Sequence, residues 1–252
     1  QDRDGVGRVL TIEPCSWIDG WPMLGTNGDG IIPETVTLDG DCECHKEPAY
    51  AVIEKDYQWN HNHIKEDITT ETGSLTNPGS TVTLRTSVLA DNIWNARNTI
   101  TWRMWGPTCS DTICIDARKM KDGDCVGLAA FNGDSGILTI KREGSSYWLI
   151  MSEESVSLDN RNKAITDVKK KEVERVKLSK GKVGKIYLSI DGDFNPGRGD
   201  LANFRYSLDG KTFQKIGTAD YKMRFDYRRL FMGTRYAAFY YPTKTVGGQV
   251  TI

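Results

Sequence analysis

The feature that most constrains the fold is a succession of short β-type segments separated by glycine-containing turns. Residues 82–86 and 99–105 alternate polar and apolar side chains, and residues 125–131 form a continuously apolar run typical of a strand buried on both faces. Further strands are predicted at 112–116, 136–141, 146–151, 185–190, 202–207 and 236–241, with turns at 122–124, 132–134, 191–193 and 209–211. No helical period is sustained for long. Many short strands at regular spacing predict an all-β domain of the sandwich or jelly-roll type.

The first 34 residues have a different pattern. Residues 8–14 predict a short strand, residues 17–25 are aromatic and turn-rich, and residues 27–30 predict a tight turn. One or two strands do not form a stable sheet in water, so this piece must pack on the downstream domain or on a partner segment. Residues 35–50 carry no period and look like a connector. The predicted organisation is therefore 1–34, a linker at 35–50, and a β-sandwich at 51–252.

Three segments mix an aromatic ring with amide side chains. They are residues 57–62 (YQWNHN), 94–98 (WNARN) and 131–134 (FNGD). A sugar ring can lie on the flat apolar face of such a ring, and amides and imidazoles match its hydroxyl groups. The segments therefore indicate a carbohydrate-binding face. The alternative is that Trp59 belongs to the core and residues 60–62 form a turn.

The predicted binding face has seven members. They are Trp59, His61, Trp94, Arg97, Trp102, Phe131 and Asn132. Aromatic faces would stack on sugar, and Arg97 would donate paired hydrogen bonds to hydroxyls. Alternation along residues 97–105 limits this prediction, because Trp102 and Trp105 are expected on opposite faces of one strand.

The charge balance argues against two classes of partner. The formal net charge is -1 and the sequence pI is near 6.4, so there is no electrostatic case for nucleic acid or an anionic membrane surface. The sequence contains no run of about 18 apolar residues that could cross a membrane as a helix. The lysine-rich stretch at 169–178 alternates with acids and valines, which favours a charged edge strand that resists pairing with another sheet.

The sequence does not determine the cellular location of the protein. The polar N-terminus is not a signal peptide, so either a leader was removed or the chain starts within a longer protein. The six cysteines do not have the density of a disulfide-built scaffold. Secreted, periplasmic and cytoplasmic locations are all compatible with the sequence, and an extracytoplasmic one is favoured.

Two sets of motifs resemble glycoside hydrolase family 43, whose members act as β-xylosidases, α-arabinofuranosidases and arabinanases. Residues 17–25 (WIDGWPMLG) resemble the end of the five-bladed propeller that carries catalysis in that family. Residues 51–252 are similar to its concanavalin A-like C-terminal module, with motifs in the family's order at 58–62, 96–99, 120–124, 127–133, 204–211 and 233–239. The resemblance implies a concanavalin A-like jelly-roll β-sandwich preceded by the remnant of a propeller blade.

The resemblance also implies that catalysis and the function of this module lie in different domains. Family chemistry uses three carboxylates in the propeller, and no position of this chain matches them, so the chain alone is expected to have no hydrolase activity. It is expected to bind xylan or arabinoxylan, or to complete the active site of a catalytic propeller in the same polypeptide. Residues 225–231 (FDYRRLF) are the candidate loop for that second role. The alternative is a module that only braces the propeller.

A structural calcium ion is a further expectation, because related sandwiches often carry one near the strand ends. Calcium prefers several carboxylate and carbonyl oxygens. The candidate ligands are Asp39, Asp41, Asp191 and Asp193. Ordinary turn chemistry explains each of these residues as well.

Overall fold

The computed structural model of the chain describes residues 14–26, 28–31, 57–60, 62–70, 81–161, 164–195, 197–226, 229 and 232–252. The chain divides into two compact units, of which the smaller is Val9–Ile53. The boundaries predicted at residues 34 and 50 stay predictions, because residues 32–56 lie outside the described part.

Seventeen strands are described. In chain order they are β1 (Cys15–Ile18), β2 (Trp21–Leu24), β3 (Gln58–Trp59), β4 (Ile68–Thr70), β5 (Val82–Arg85), β6 (Ile100–Arg103), β7 (Thr108–Ile115), β8 (Asp124–Phe131), β9 (Asp134–Glu143), β10 (Ser146–Leu158), β11 (Ile165–Leu178), β12 (Ile186–Asp193), β13 (Leu201–Ser207), β14 (Gln214–Lys215), β15 (Tyr221–Lys222), β16 (Arg235–Pro242) and β17 (Gln249–Thr251). Two single-turn 3-10 segments, Lys65–Asp67 and Lys180–Lys182, are the helical structure among the described residues. None of the helical structure in that part of the chain is long and apolar enough to cross a membrane.

The smaller unit contains an antiparallel hairpin of β1 and β2. Its two-residue turn has positive φ at Asp19 (51°) and Gly20 (79°), which is the backbone that a tight hairpin turn requires. Trp17 and Trp21 are each 72% exposed, and Ile18, Met23 and Leu24 are exposed too. The hairpin therefore presents an apolar surface that its own two strands do not cover.

The larger unit is a sandwich of two main antiparallel sheets. One has seven strands in the order β11-β10-β9-β8-β16-β6-β3, and the other has the order β14-β13-β12-β7 with β15 paired to β13. A third, small sheet has the order β17-β5-β4. The predicted all-β fold is confirmed.

The core fills the space between the two main sheets. Leu128, Leu138 and Leu149 of the larger sheet belong to the same buried cluster as Leu188 and Phe204 of the smaller one. These leucines have no exposed surface. Alternation explains the arrangement, because every second side chain of a strand points to the same face.

Close packing of the two sheets requires glycine at residue 136 of β9. A Cβ added to Gly136 would lie 2.4 Å from Cζ of Phe204, which is closer than real Cβ atoms approach other atoms. The residue thus lets the Phe204 ring of β13 rest directly on the backbone of β9.

A second apolar cluster covers the outer face of the seven-stranded sheet. Ile93 and Ala96, in the segment between β5 and β6, pack with Ala129, Phe131 and Phe239 of the sheet. All five side chains are fully buried. The seven-stranded sheet is therefore buried on both faces in its middle, as predicted for residues 125–131.

Strand β11 forms one edge of the seven-stranded sheet. Residues 169–172 are all exposed, while Val168, Val173 and Val176 are half-buried. The prediction of a charged edge strand is confirmed, and its lysines discourage pairing with another sheet.

Candidate functional site

Trp94 and Phe131 lie together on the outer face of the seven-stranded sheet, and Asn132 follows Phe131 in the turn after β8. The rings of Trp94 and Phe131 are 4.7 Å apart between centroids and tilted by 42°. Phe131 has no exposed surface, and Asn132 is 2% exposed. The Asn132 amide nitrogen donates to the carbonyl of Met232 at 3.0 Å, and its oxygen accepts from the Gly133 N–H at 2.7 Å. Asn132 therefore serves the turn between β8 and β9.

Trp59 and Trp102 pack in the core between the two main sheets. Trp102 is 4% exposed, its Nε1 donates to a carboxylate oxygen of Asp111 at 2.6 Å, and its ring stacks on Tyr236 at 5.6 Å. The half-buried ring of Trp59 packs against the same core cluster and stacks on His63 at 4.4 Å. Both tryptophans thus contribute to the packing of the sandwich.

Strand register explains why these aromatic residues do not meet. Trp102 pairs with Tyr236, whereas Phe131 pairs with Arg235, the residue before Tyr236 on β16. Neighbouring residues of a strand point to opposite faces, so Trp102 lies on the inner face and Phe131 on the outer face.

Arg97 clamps a backbone carbonyl. Its Nε and Nη2 donate to the oxygen of Asn62 at 3.1 and 2.6 Å, which joins the segment before β6 to the segment after β3. His61 lies outside the described residues. The structure does not bring the predicted sugar-binding residues together on one face, and sugar binding by any of them stays a prediction.

The two described calcium candidates already accept hydrogen bonds from the protein. Asp191 accepts from Ser110 at 2.6 Å and from Arg205 at 2.5 Å. Asp193 accepts from the backbone and side-chain nitrogens of Asn195 at 3.0 and 2.7 Å. No group of three or more potential metal ligands gathers among the described residues, and Asp39 and Asp41 lie outside them. Calcium binding stays a prediction.

Asp124, the last residue of the predicted turn at 122–124, is the first residue of β8. It is completely buried, and one carboxylate oxygen accepts from the Tyr240 hydroxyl and from the Lys121 N–H, both at 2.6 Å. Burial raises the pKa of Asp124, although these two hydrogen bonds and the nearby charges of Lys121 and Arg142 oppose the rise. Asp124 thus joins β8 to β16 from inside the fold.

One concave feature that the sequence did not predict is a cleft of about 520 Å³, here called the charged cleft. One wall comes from β9, β10 and β11, including Asp134, Glu153 and Lys169. The other wall comes from residues 218–224, including Tyr221 and Arg224. The cleft therefore lies where an end of the seven-stranded sheet meets the strand that pairs with β13.

An ion pair fastens the segment between β15 and β16, residues 223–234, here called the arm. Arg229 Nη1 lies 2.8 Å from Asp134 Oδ1 and Nη2 lies 3.3 Å from Oδ2, and Nη1 also reaches the carbonyl of Val156 at 3.3 Å. The Ser155 hydroxyl donates to Asp134 at 2.6 Å. The Arg229 side chain also lies against Gly133, where an added Cβ would be 3.0 Å from its Cδ. The middle of the arm is thus held on the turn between β8 and β9.

Electrostatics favour this ion pair. Burial by itself would raise the pKa of Asp134, but the hydrogen bonds from Arg229 and Ser155 and the charges of Arg229 and Arg224 outweigh it and hold the pKa below its ordinary value. Arg229 and Asp134 have side chains only 26% and 18% exposed. Their attraction is therefore less screened by water and salt than that of a surface pair.

Comparisons with known proteins agree on one family. A family model described as the beta-xylosidase C-terminal concanavalin A-like domain matches residues 51–251. A β-xylosidase of Formosa agariphila is 23% identical over 242 residues, which cover 84% of this chain and 36% of that enzyme.

Solved structures show the same fold in proteins of glycoside hydrolase family 43. An engineered member that displays both endo-xylanase and exo-arabinofuranosidase activity superimposes with a TM-score of 0.77 at 25% identity, over 95% of this chain and 47% of that one. A protein of Bacteroides eggerthii described as bifunctional GH43-CE gives 0.75 at 28% identity, over 100% of this chain and 31% of that one.

The chain spans about a third to a half of the length of these relatives. The match of the family model runs through both main sheets of the sandwich and covers most of the sequence. The resemblance drawn from the motifs is confirmed, and the chain belongs to the family of beta-xylosidase C-terminal concanavalin A-like domains.

Proposed function

We propose that the chain is a non-catalytic module of a xylan- or arabinoxylan-degrading family 43 enzyme, and that it acts by completing the active site of the catalytic propeller with its arm. The observation that carries the proposal is the fastening of Arg229 by Asp134. A loop that positions side chains in a partner's pocket must itself be anchored to a rigid element. Arg229 anchors the middle of the arm, and residues 225–231 contain three aromatic rings and two arginines.

The positions of the predicted sugar-binding residues support this role over independent binding of xylan. Phe131 and Trp102 are buried, Asn132 serves a turn, and Arg97 holds a backbone carbonyl. An aromatic platform for a polysaccharide needs open ring faces on one surface. In the described part of the chain, most aromatic rings pack within the domain itself.

The hairpin of β1 and β2 supports a partner domain. It exposes an apolar surface formed by Trp17, Ile18, Trp21, Met23 and Leu24. Leaving such a surface in water is unfavourable for an isolated two-stranded sheet. A propeller blade would cover it with further strands. This observation also favours the second candidate function, in which the module only braces the propeller.

The chain alone is proposed to be inactive, because no position matches the propeller carboxylates and glycoside hydrolysis needs a carboxylate pair. Assay of the 252-residue chain on chromogenic xylosides and arabinosides is expected to give no turnover. Turnover that one Asp→Asn substitution abolishes would refute this.

The role of the arm is tested in the enzyme that contains this module together with its propeller. Replacing residues 225–231 by a short Gly-Ser turn is expected to lower kcat/KM by about tenfold or more, since removing one positioning contact to a transition state costs about 1.4 kcal/mol or more. Arg118→Gln, an exposed arginine on another part of the sandwich, is the control and is expected to keep full activity. Unchanged kcat/KM in the arm variant, with lower thermal stability of the propeller after deletion of the module, would favour bracing alone.

A further inference from the structure

The charged cleft has the dimensions of a small-ligand site. Its volume of about 520 Å³ falls within the range of roughly 300–1,000 Å³ that ligand pockets occupy, which is room for one or two sugar units. It is lined by side chains of both signs, by the hydroxyls of Ser155 and Thr218, and by the ring of Tyr221. Tyr221 is 8% exposed and packs edge-on against Phe204 at 5.9 Å, so its position is fixed by the core.

The carboxylates of the cleft are engaged by the protein. Glu153 accepts from the Thr218 hydroxyl at 2.7 Å, and Asp134 is bound by Arg229 as described above. The ammonium of Lys170 lies 2.6 Å from Oε1 of the buried Glu154, close enough for an ion pair although not aligned as a hydrogen bond. Lys171 lies 3.7 Å from the other oxygen of Glu153, so Asp134, Glu153 and Glu154 each have a cation nearby. The fourth carboxylate of the cleft, Asp220, accepts from the uncharged amide of Asn203 at 3.1 Å.

Three cations of the cleft have side chains without such a partner. Lys169, Lys222 and Arg224 all line it, all are exposed, and none of their side chains has a hydrogen bond or ion pair with another described residue. Arg224 is close enough to act on the charge of Asp134, but Arg229 already neutralises that carboxylate. Five cations and four carboxylates line the cleft, and Arg229 adds a further cation beside Asp134. The cleft thus presents a small excess of positive charge in a chain whose formal net charge is -1.

We propose that the charged cleft binds a carboxylate-bearing sugar, such as a uronic acid side group on a glycan. The planar guanidinium of Arg224 can hold a carboxylate through two parallel hydrogen bonds, and Lys169 and Lys222 add charge from the two walls. The Ser155 and Thr218 hydroxyls donate to Asp134 and Glu153 and can still accept from hydroxyls of the same sugar, whose ring suits the edge of Tyr221. The preference for an anion comes from the charges of the cleft, whereas the choice of a sugar rests on the proposed function.

The site lies next to the arm. Asp134 lines the cleft and also holds Arg229, and Arg224 belongs both to the cleft and to the first residues of the arm. A ligand carboxylate bound to Arg224 would therefore lie beside the first residues of the arm, the segment proposed to reach the active site.

The test is isothermal titration of the 252-residue chain with matched xylo-oligosaccharides, one bearing a glucuronic acid group and one neutral. The acidic ligand is expected to bind at least about tenfold more tightly at ~0.02 M salt, and most of this preference should disappear at ~0.5 M salt, because exposed charges are screened. Arg224→Gln and Lys222→Gln should each remove most of the preference, while Arg118→Gln should leave it unchanged, and all three should keep the wild-type melting temperature.

Three outcomes would overturn the inference: equal affinity for the two oligosaccharides, no binding of the acidic one, or inorganic phosphate binding as tightly as the acidic oligosaccharide. The last outcome would mean that the cleft recognises charge without sugar. None of these outcomes bears on the arm, because the arm's role is measured by kcat/KM on uncharged chromogenic substrates. Failure of this inference is therefore distinguishable from failure of the proposed function.

Discussion

The ion pair between Arg229 and Asp134 makes a quantitative prediction about how the arm is held. The perturbation is a double-mutant cycle with Asp134→Asn, Arg229→Gln and the combination of the two. Exposed ion pairs contribute roughly 0.2–1 kcal/mol, and hydrogen bonds to charged groups about 1.5–3 kcal/mol. This pair is mostly buried and has two hydrogen bonds, so we expect a coupling energy of about 1–2 kcal/mol.

The coupling is measured by urea unfolding of the 252-residue chain, and the local effect by hydrogen exchange at amides of the arm. A loss of about 1.4 kcal/mol corresponds to about tenfold faster exchange where the arm opens separately from the rest of the chain. Because the folded pKa of Asp134 lies below its ordinary value of 3.8, the contribution is present above that pH and is lost as the pH falls below it. A coupling energy below about 0.3 kcal/mol, or one that does not weaken in acid, would refute this account of the fastening.

The remaining predictions concern the interior. Phe131→Ala, which empties a fully buried site beneath Trp94, should lower the free energy of unfolding by about 3–5 kcal/mol in urea titrations; a loss below about 1 kcal/mol would mean that the ring is not part of the core. Asp124 has a raised folded pKa, so its contribution to stability is fullest below its ordinary pKa of 3.8 and is lost as the pH rises through the folded value. The stability of the wild type relative to Asp124→Asn should therefore fall as the pH rises above 3.8, and a relative stability that rises with pH would contradict the burial of the carboxylate.

The all-β fold could be predicted because its signals are local. Alternation in residues 99–105, the apolar run at 125–131 and the glycine turns each report on a few neighbouring residues. The edge position of β11 could be predicted for the same reason, since lysines and acids on the strand itself mark an edge. These features depend little on which distant segment each strand meets.

The candidate site could be predicted much less well, because it depends on pairing between distant segments. Local alternation shows that neighbours point apart, but only the register of β16 with β6 and β8 reveals that Trp102 and Phe131 lie on opposite faces. Asp134 and Arg229 are 95 residues apart in sequence, and no local pattern joins them. No local pattern in the turn at 122–124 reveals that Tyr240 of β16 covers Asp124.

The proposed role of this module is to act on catalysis through its arm, with no acid–base machinery of its own. It is tested by kcat/KM on a chromogenic xyloside for an enzyme in which this module is joined to a family 43 propeller, with the arm intact or with residues 225–231 replaced by a Gly-Ser turn. The two forms are compared only if their melting temperatures are equal. We expect the arm variant to lose about tenfold or more in kcat/KM. An unchanged kcat/KM in a fully folded arm variant would contradict it.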